Sequence, residues 1–299
     1  MIETEMIERT MDMKNLKKKI LGAVFGVFAA ISLTVPSHAA VCVAGSADSL
    51  QQDPHYKEVS EIAEGLSECM PNEAQKKYVY SVTMTSVFGK RYHSGWSSSY
   101  MDGDLIVELS VAESEQIPAA LANLYFPSGE IIYRESDRVE MASVQPVPLN
   151  AQGINEVSYQ GIREIYRRYQ EVRNGASDLG EMEKIRYIHE YLVNTLEPVP
   201  AGETQMQDAH WIQNVFSGQY AYCIAYTNLY YLFGRGCGLE VGHDGGKDGG
   251  HGVRNHVRNT VTVNGELRYL DVMWDDNPVD PDRYYLTKEC SLKECQISI

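Results

Sequence analysis

Cys223 stands immediately before the apolar run 224–233, in which Ile224, Leu229, Leu232 and Phe233 recur at helical spacing and Gly236 or Gly238 can end the turn. A thiol at or just before a helix N-terminus meets unpaired N–H groups and the positive end of the helix dipole, which stabilise a thiolate. A cysteine on an apolar helix is otherwise most simply a buried, inert residue. A nucleophile also needs a base and a group that orients the base, and residues 256–274, "HVRNTVTVNGELRYLDVMW", offer both. Asn264-Gly265 between two β-type runs signals a two-residue hairpin turn. Val263 then pairs with Glu266 and Thr262 with Leu267. In that register Arg258 is opposite Asp271, and His256 and Asp271 are diagonal neighbours on one face, about 7–8 Å apart. A carboxylate there fixes the imidazole tautomer and leaves the other ring nitrogen free to take the thiol proton. Arg258 is the competing partner for Asp271.

These segments resemble the transglutaminase-like superfamily of secreted bacterial type, whose members have a papain-like core and a Cys-His-Asp triad in that chain order. Cys223, Ala225, Tyr226, Gly238 and Leu239 match the motif around the nucleophile. His256, the Asn264-Gly265 turn and "LDVMWDD" match the hairpin that carries the other two members. "EKIRYIHEYLV" from Glu183 resembles the helix that precedes the catalytic part, and "YYLTKE" from Tyr284 the strand that follows it. The likeness extends over residues 178–290. Two positions depart from the family pattern: Val257-Arg258-Asn259 stands where Ala-Trp-Asn is usual, and Ile224 where bacterial relatives often carry glutamate. Both bear on substrate preference.

The resemblance implies an α+β fold with the nucleophile at a helix N-terminus, packed on an antiparallel sheet that carries the histidine and the aspartate. It implies acyl transfer on protein or peptide amides through a thioester at Cys223, with His256 as base and Asp271 as its orienter, and with no metal or organic cofactor. Water as acceptor makes a peptidase or amidase, and an amine makes a transglutaminase-type acyltransferase. The alternative is a catalytically inactive binding or scaffold domain of the cell envelope with the same fold. An oxyanion hole needs a backbone N–H and a side-chain donor, for which Trp211, Gln213 and Gln219 are candidates. His189 reads as a packing or helix-surface residue.

The elements that must hold these residues are legible in outline. Residues 56–69 have the apolar spacing of a short helix. "YVYSVTMTSV" at 78–87 alternates like a strand, and "DLIVELSVAE" from Asp104 and "EIIYRESDRVEM" from Glu130 read as two more, with a helix around 117–124 between them. "SVQPVPLNAQG", 143–153, concentrates turn formers and marks the join between an N-terminal α/β region, 40–150, and the catalytic region, 151–299. Two helices follow, one with Ile154, Val157, Ile162, Ile165, Tyr166 and Tyr169 and one with Met182, Ile185, Ile188 and Leu192 on a stripe. The loop "GHDGGKDGGHG", 242–252, reads as a mobile surface gate over the cleft rather than a metal site.

At the N-terminus Lys14, Lys17, Lys18 and Lys19 precede the apolar stretch 20–35, and Ser37-His38-Ala39 supplies small residues at a cleavage site. Residues 1–39 are therefore expected to be a signal peptide. The mature chain would be secreted or held in the cell envelope, with no stable membrane insertion and a protein or peptide substrate of the cell wall or envelope. Residues 1–39 carry five basic and four acidic side chains, so their removal takes the net charge of −15 to −16. Such a surface repels nucleic acid and anionic lipid. All six cysteines follow the cleavage site. Pairs Cys42–Cys69 and Cys290–Cys295, with Cys237 left over, are the local choice in an oxidising compartment.

Overall fold

The structure is a computed structural model. It describes residues 50–89, 105–110, 116–118, 121, 124, 129–134, 138–143, 150–200, 212–218, 220–247, 255–277, 279–289 and 293–298. The fold is α+β.

The first helix, α1 (Tyr56–Ser67), buries Val59, Ile62, Ala63 and Leu66 along one stripe, the face that its sequence spacing sets. It packs on α2 (Glu73–Phe88), which starts where Asn72 Oδ1 accepts the Gln75 N–H at 2.8 Å. Helix α2 contains the whole 78–87 run, so the strand expected there is a helix. Its hydroxyls show why the β-branched composition does not prevent this. Thr83 and Thr85 donate to the Val79 and Ser81 carbonyls four residues back, each at 2.7 Å, and Ser86 donates to Thr83. Burial on nearly all sides then outweighs the modest helix propensity of Thr and Val.

Strand β1 (Leu105–Ser110), β2 (Gly129–Arg134) and β3 (Arg138–Ser143) form an antiparallel sheet in the order β1-β3-β2. The run from Glu130 is thus a hairpin of two strands rather than one. Most of the helix expected at 117–124 lies outside the described residues.

Helix α3 (Glu156–Gly175) is capped by Asn155, whose Oδ1 accepts the Ser158 N–H at 3.1 Å. It buries Ile162, Ile165, Tyr169 and Val172 against the core, while Val157 is exposed. Helix α4 (Glu181–Thr195) buries Ile185, Ile188 and Leu192, but Met182, in its first turn, points to solvent. A two-residue parallel ladder joins β4 (Glu197–Pro198) to β5 (Tyr220–Ala221), with α5 (Ile212–Gly218) just before β5.

From β5 the chain runs through Tyr222 into α6 (Cys223–Gly236). Gly238, at φ +79°, ends this helix in a left-handed turn: the Leu239 N–H returns to the Gly234 carbonyl at 3.0 Å and the Gly238 N–H to that of Arg235 at 2.9 Å. The second sheet holds β6 (Val241–Lys247), β7 (Asn255–Val263), β8 (Glu266–Leu270) and β9 (Lys293–Ser298) in the antiparallel order β8-β7-β6-β9. The β7–β8 turn is Asn264-Gly265, both at positive φ, and Val263 pairs with Glu266 and Thr262 with Leu267. Hairpin and register are those read from the sequence.

Half of the expected gate is therefore a strand. Residues 242–247 belong to β6, an inner strand of the sheet, and His243 and Asp244 on it are buried. Glycine-rich sequence is compatible with a strand when both edges are paired, as here with β7 and β9. Residues 248–252 lie outside the described residues. "YYLTKE" supplies only a single bridge, Tyr269 to Thr287, rather than a strand.

Helix α6 lies on β6 and β7. Asn259 Nδ2 donates to the Thr227 carbonyl at 3.1 Å and Thr227 Oγ1 to the Val257 carbonyl at 3.2 Å, which fixes the helix lengthwise. The described residues belong to one compact unit. None of their helices is long and apolar enough to cross a membrane, and the apolar stretch 20–35 lies outside them.

Candidate active site

Cys223 is the first residue of α6, with the extended Tyr222 as its cap. The Tyr222 carbonyl already accepts the Ala225 and Tyr226 N–H groups, whereas the N–H of a first helical residue has no acceptor within its helix. Cys223 is half-buried. His256, on β7, is 7 % exposed.

Its Nε2 meets Asp271 Oδ2 at 2.5 Å, and the Cys223 thiol is within hydrogen-bonding reach of the same ring. With Nε2 committed to the carboxylate, Nδ1 is left for the sulfur. The three residues singled out in the sequence are thus brought together in the order thiol, imidazole, carboxylate. Burial by itself would push the His256 imidazolium down. The charge and hydrogen bond of Asp271, and then those of Cys223, outweigh it and hold the group up at about 10.

Asp271 is one residue past the end of β8 and is the N-cap of a short turn, α7 (Val272–Asp275). Its Oδ1 accepts the Trp274 N–H at 3.1 Å, which turns Oδ2 toward His256. The same turn lays the Trp274 ring over the imidazole, with centroids 4.2 Å apart and planes within 7°. Tyr284 backs Trp274 at 4.8 Å. A flat aromatic on the ring confines the imidazole to one plane, and its negative π face favours a cation.

The two aspartates that follow fasten this turn to the helices. Asp275 is buried and bridges His189 Nε2 of α4, at 3.1 Å, to the Tyr284 N–H, at 2.7 Å. Asp276 Oδ2 accepts from Tyr226 Oη at 2.8 Å, one turn along the helix from Cys223. His189 is therefore a fastener of the site rather than simple packing.

Arg258 does not take the Asp271 oxygen that His256 uses. Its Nε donates to Asp244 Oδ2 on β6 at 2.9 Å, and its guanidinium lies 4.6 Å from the Tyr269 ring centroid. Of the candidate oxyanion donors, Gln213 is buried on α5 with its backbone pressed against Gly161 of α3. Trp211 and Gln219 lie outside the described residues.

Cys69, Cys223 and Cys237 are free thiols. The expected Cys42–Cys69 pair is not formed: Cys69 sits at the end of α1, and its Sγ donates to the Leu66 carbonyl at 3.5 Å. Cys42 and Cys290 lie outside the described residues.

No family model matches the chain, and no curated protein matches it. Among solved structures it is similar to a candidate cysteine protease from Cytophaga hutchinsonii, at 12% identity over 67% of this chain and 77% of that one, with a TM-score of 0.29. It is also similar to a candidate protease from Parabacteroides distasonis, at 14% identity over 48% of this chain and 36% of that one, with a TM-score of 0.25. A third is a TGase, at 10% identity over 56% of this chain and 46% of that one, with a TM-score of 0.29.

Proposed function

We propose that this chain is an exported cysteine-dependent enzyme of transglutaminase-like fold that transfers the acyl group of a protein or peptide amide, with Cys223 as nucleophile, His256 as base and acid, and Asp271 as orienter. The observation that carries the reading is the His256 ring, with Nε2 on Asp271 Oδ2 at 2.5 Å and with the Cys223 thiol, at a helix start, near enough to bear on its charge.

In the charged pair the proton sits on His256 and the sulfur is the thiolate. Attack forms the C–S bond and moves the carbonyl electron pair onto oxygen, for which the Cys223 N–H is the proposed donor. Collapse breaks the C–N bond as His256 gives its proton to the leaving amine, and a thioester remains. Neutral His256 then takes a proton from water or from an amine, which attacks the thioester carbonyl and releases the thiolate. Asp271 holds the ring and stabilises each imidazolium. The reaction draws on no metal or organic cofactor.

Export follows from the reading of residues 1–39 as a signal peptide, and places the substrate among the proteins and peptides of the envelope or exterior. Incubation with glutamine-containing peptides and mass spectrometry of the intact chain is expected to show an acyl adduct on Cys223. The adduct is absent in Cys223→Ala, and its formation slows about 100-fold or more in His256→Ala, the usual loss for a general base. Release by water alone identifies a hydrolase, and faster release by a primary amine an acyltransferase. Adducts on Cys223 that form equally fast in His256→Ala would overturn the mechanism.

A further inference from the structure

Residues 282–287 join the sheet only through the bridge between Tyr269 and Thr287, in which each N–H meets the other's carbonyl at 2.9 Å. Two of these residues hold left-handed backbone, Asp282 at φ +71° and Leu286 at φ +52°. Aspartate tolerates that region, but for leucine it is costly. A segment with so short a ladder and such a backbone keeps its course only where its surroundings impose it.

Two neighbours do so. On one side is the α7 turn. The Asp271 N–H donates to the Tyr284 carbonyl at 3.3 Å, and the Tyr284 N–H to Asp275 Oδ1 at 2.7 Å. One residue thus ties the cap of the turn to its last residue, and its ring lies against Trp274 with centroids 4.8 Å apart. A turn of four residues is too short to hold itself, so Tyr284 fixes where Asp271 and Trp274 stand relative to His256. On the other side is α4. Arg186 Nη1 donates to Asp282 Oδ1 at 2.5 Å, and the same guanidinium lies 3.7 Å from the Tyr285 ring centroid. A planar guanidinium can pair with a carboxylate and cover a ring at once, which an ammonium cannot. His189 of α4 meets the Tyr285 ring edge-on at 5.1 Å. Glu190, also on α4, is 4.0 Å from Arg186 Nε.

We propose that Arg186 is a positioning residue: it pins residues 282–287 as a strap, and through Tyr284 the strap keeps Asp271 and Trp274 on His256. The inference rests on the proposed catalytic role of His256. Released from Arg186, the strap loses its holds at 282 and 285, on either side of Tyr284. The left-handed backbone then relaxes, the α7 turn loosens, and His256 spends less of its time in the orientation that serves Cys223.

The test measures the rate of Cys223 alkylation by iodoacetamide at neutral pH in the full chain, at a temperature where every variant is folded, with the labelled peptide identified by mass spectrometry. Wild type is compared with Arg186→Ala, Asp282→Gly, the double variant, Glu190→Ala and His256→Ala. Glycine at 282 removes the carboxylate and keeps the left-handed backbone at ease. Arg186→Ala is expected to react about fivefold more slowly and Asp282→Gly about threefold, the scale of coupling within one contact network. The double variant is expected to be no slower than Arg186→Ala, because both substitutions open the same latch, and Glu190→Ala is expected to match wild type. A residue that only stabilises the fold leaves the rate of the folded protein unchanged. Singles that match wild type, single effects that multiply in the double variant, or Glu190→Ala as slow as Asp282→Gly, overturn the proposal.

Should Arg186→Ala fail to fold, Asp282→Gly decides by a second measurement. Its His256 ring-nitrogen NMR signals are expected to move, and unchanged signals refute the inference. His256→Ala separates the two readings. If it labels as fast as wild type, the catalytic role of His256 fails. If it labels slowly while the Arg186 and Asp282 variants match wild type, only the positioning role fails.

Discussion

Two histidines in this fold are shifted in opposite directions, and together they shape its stability against pH. His256 is raised from 6.5 to about 10 by its partners. Between those values the native state holds a proton that the unfolded chain has lost, so its contribution is complete below about pH 6.5 and is lost as pH climbs toward 10. His243 is the reverse case. It is buried on β6 with its ring 4.3 Å from that of Tyr231, and neither nitrogen has a hydrogen-bond partner among the described residues. Burial, and then the charge of Arg235, push it down to about 3. Below about 6.5 the unfolded chain binds a proton that native His243 refuses, so stability falls as pH falls toward 3. His243→Phe keeps the ring contact and removes the unmet nitrogens. It is expected to stabilise the protein at pH 5 by about 1–3 kcal/mol, the usual cost of an unsatisfied buried group. Denaturant melts at pH 5 and pH 7 check this, and equal gains at the two values would mean that protonation is not involved.

At the level of elements, what could be read from the sequence was governed by how local the signal is. The β7–β8 hairpin was legible because Asn264-Gly265 dictates a turn and the turn dictates the register. Helix α6 was legible from its spacing, and Gly238 ends it as expected. Helix α2 was misread because its hydroxyls find carbonyl acceptors within the helix and its position is buried all round, neither of which is visible in a ten-residue window. Strand β6 was misread because glycine suggests a loop until both neighbouring strands are in place. The Trp274 stack needs His256 of β7, and the Asp275 and Asp276 fastenings need His189 of α4 and Tyr226 of α6, so their roles had no local signature.

Helix–helix contact also reverses a rule of local propensity. Alanine ordinarily improves on a helical glycine by about 1 kcal/mol. A Cβ on Gly161 of α3, however, would come 2.1 Å from the Gln213 carbonyl oxygen of α5, a backbone atom that cannot step aside. Gly161→Ala is therefore expected to destabilise by about 1–3 kcal/mol. It should also slow the chemistry, since α5 leads through β5 to Cys223. Gly218→Ala, with nothing within 4 Å of its Cβ, is the control that should be neutral or stabilising. Thermal melts that rank Gly161→Ala at or above wild type would show that the two helices are not in the contact described.

At the scale of the molecule, the site is assembled from α6, β7 and the α7 turn, which lie within residues 223–275. Helix α4 holds them from outside through His189. This concentration lets one stretch of sequence bring Cys223, His256 and Asp271 into view together, whereas the Arg258–Asp244 pair could not be read because Asp244 lies in the segment expected to be a gate. A net charge of −15 favours encounter with cationic partners. The acyl chemistry itself depends on one relation, that between Cys223 and His256. Its most direct test is the rate of Cys223 alkylation at neutral pH in wild type beside His256→Ala. Wild type is expected to label at least about tenfold faster than the variant, because His256 takes the thiol proton. Equal rates would sink that relation and would leave a fold that holds Cys223, His256 and Asp271 together without the chemistry proposed for them.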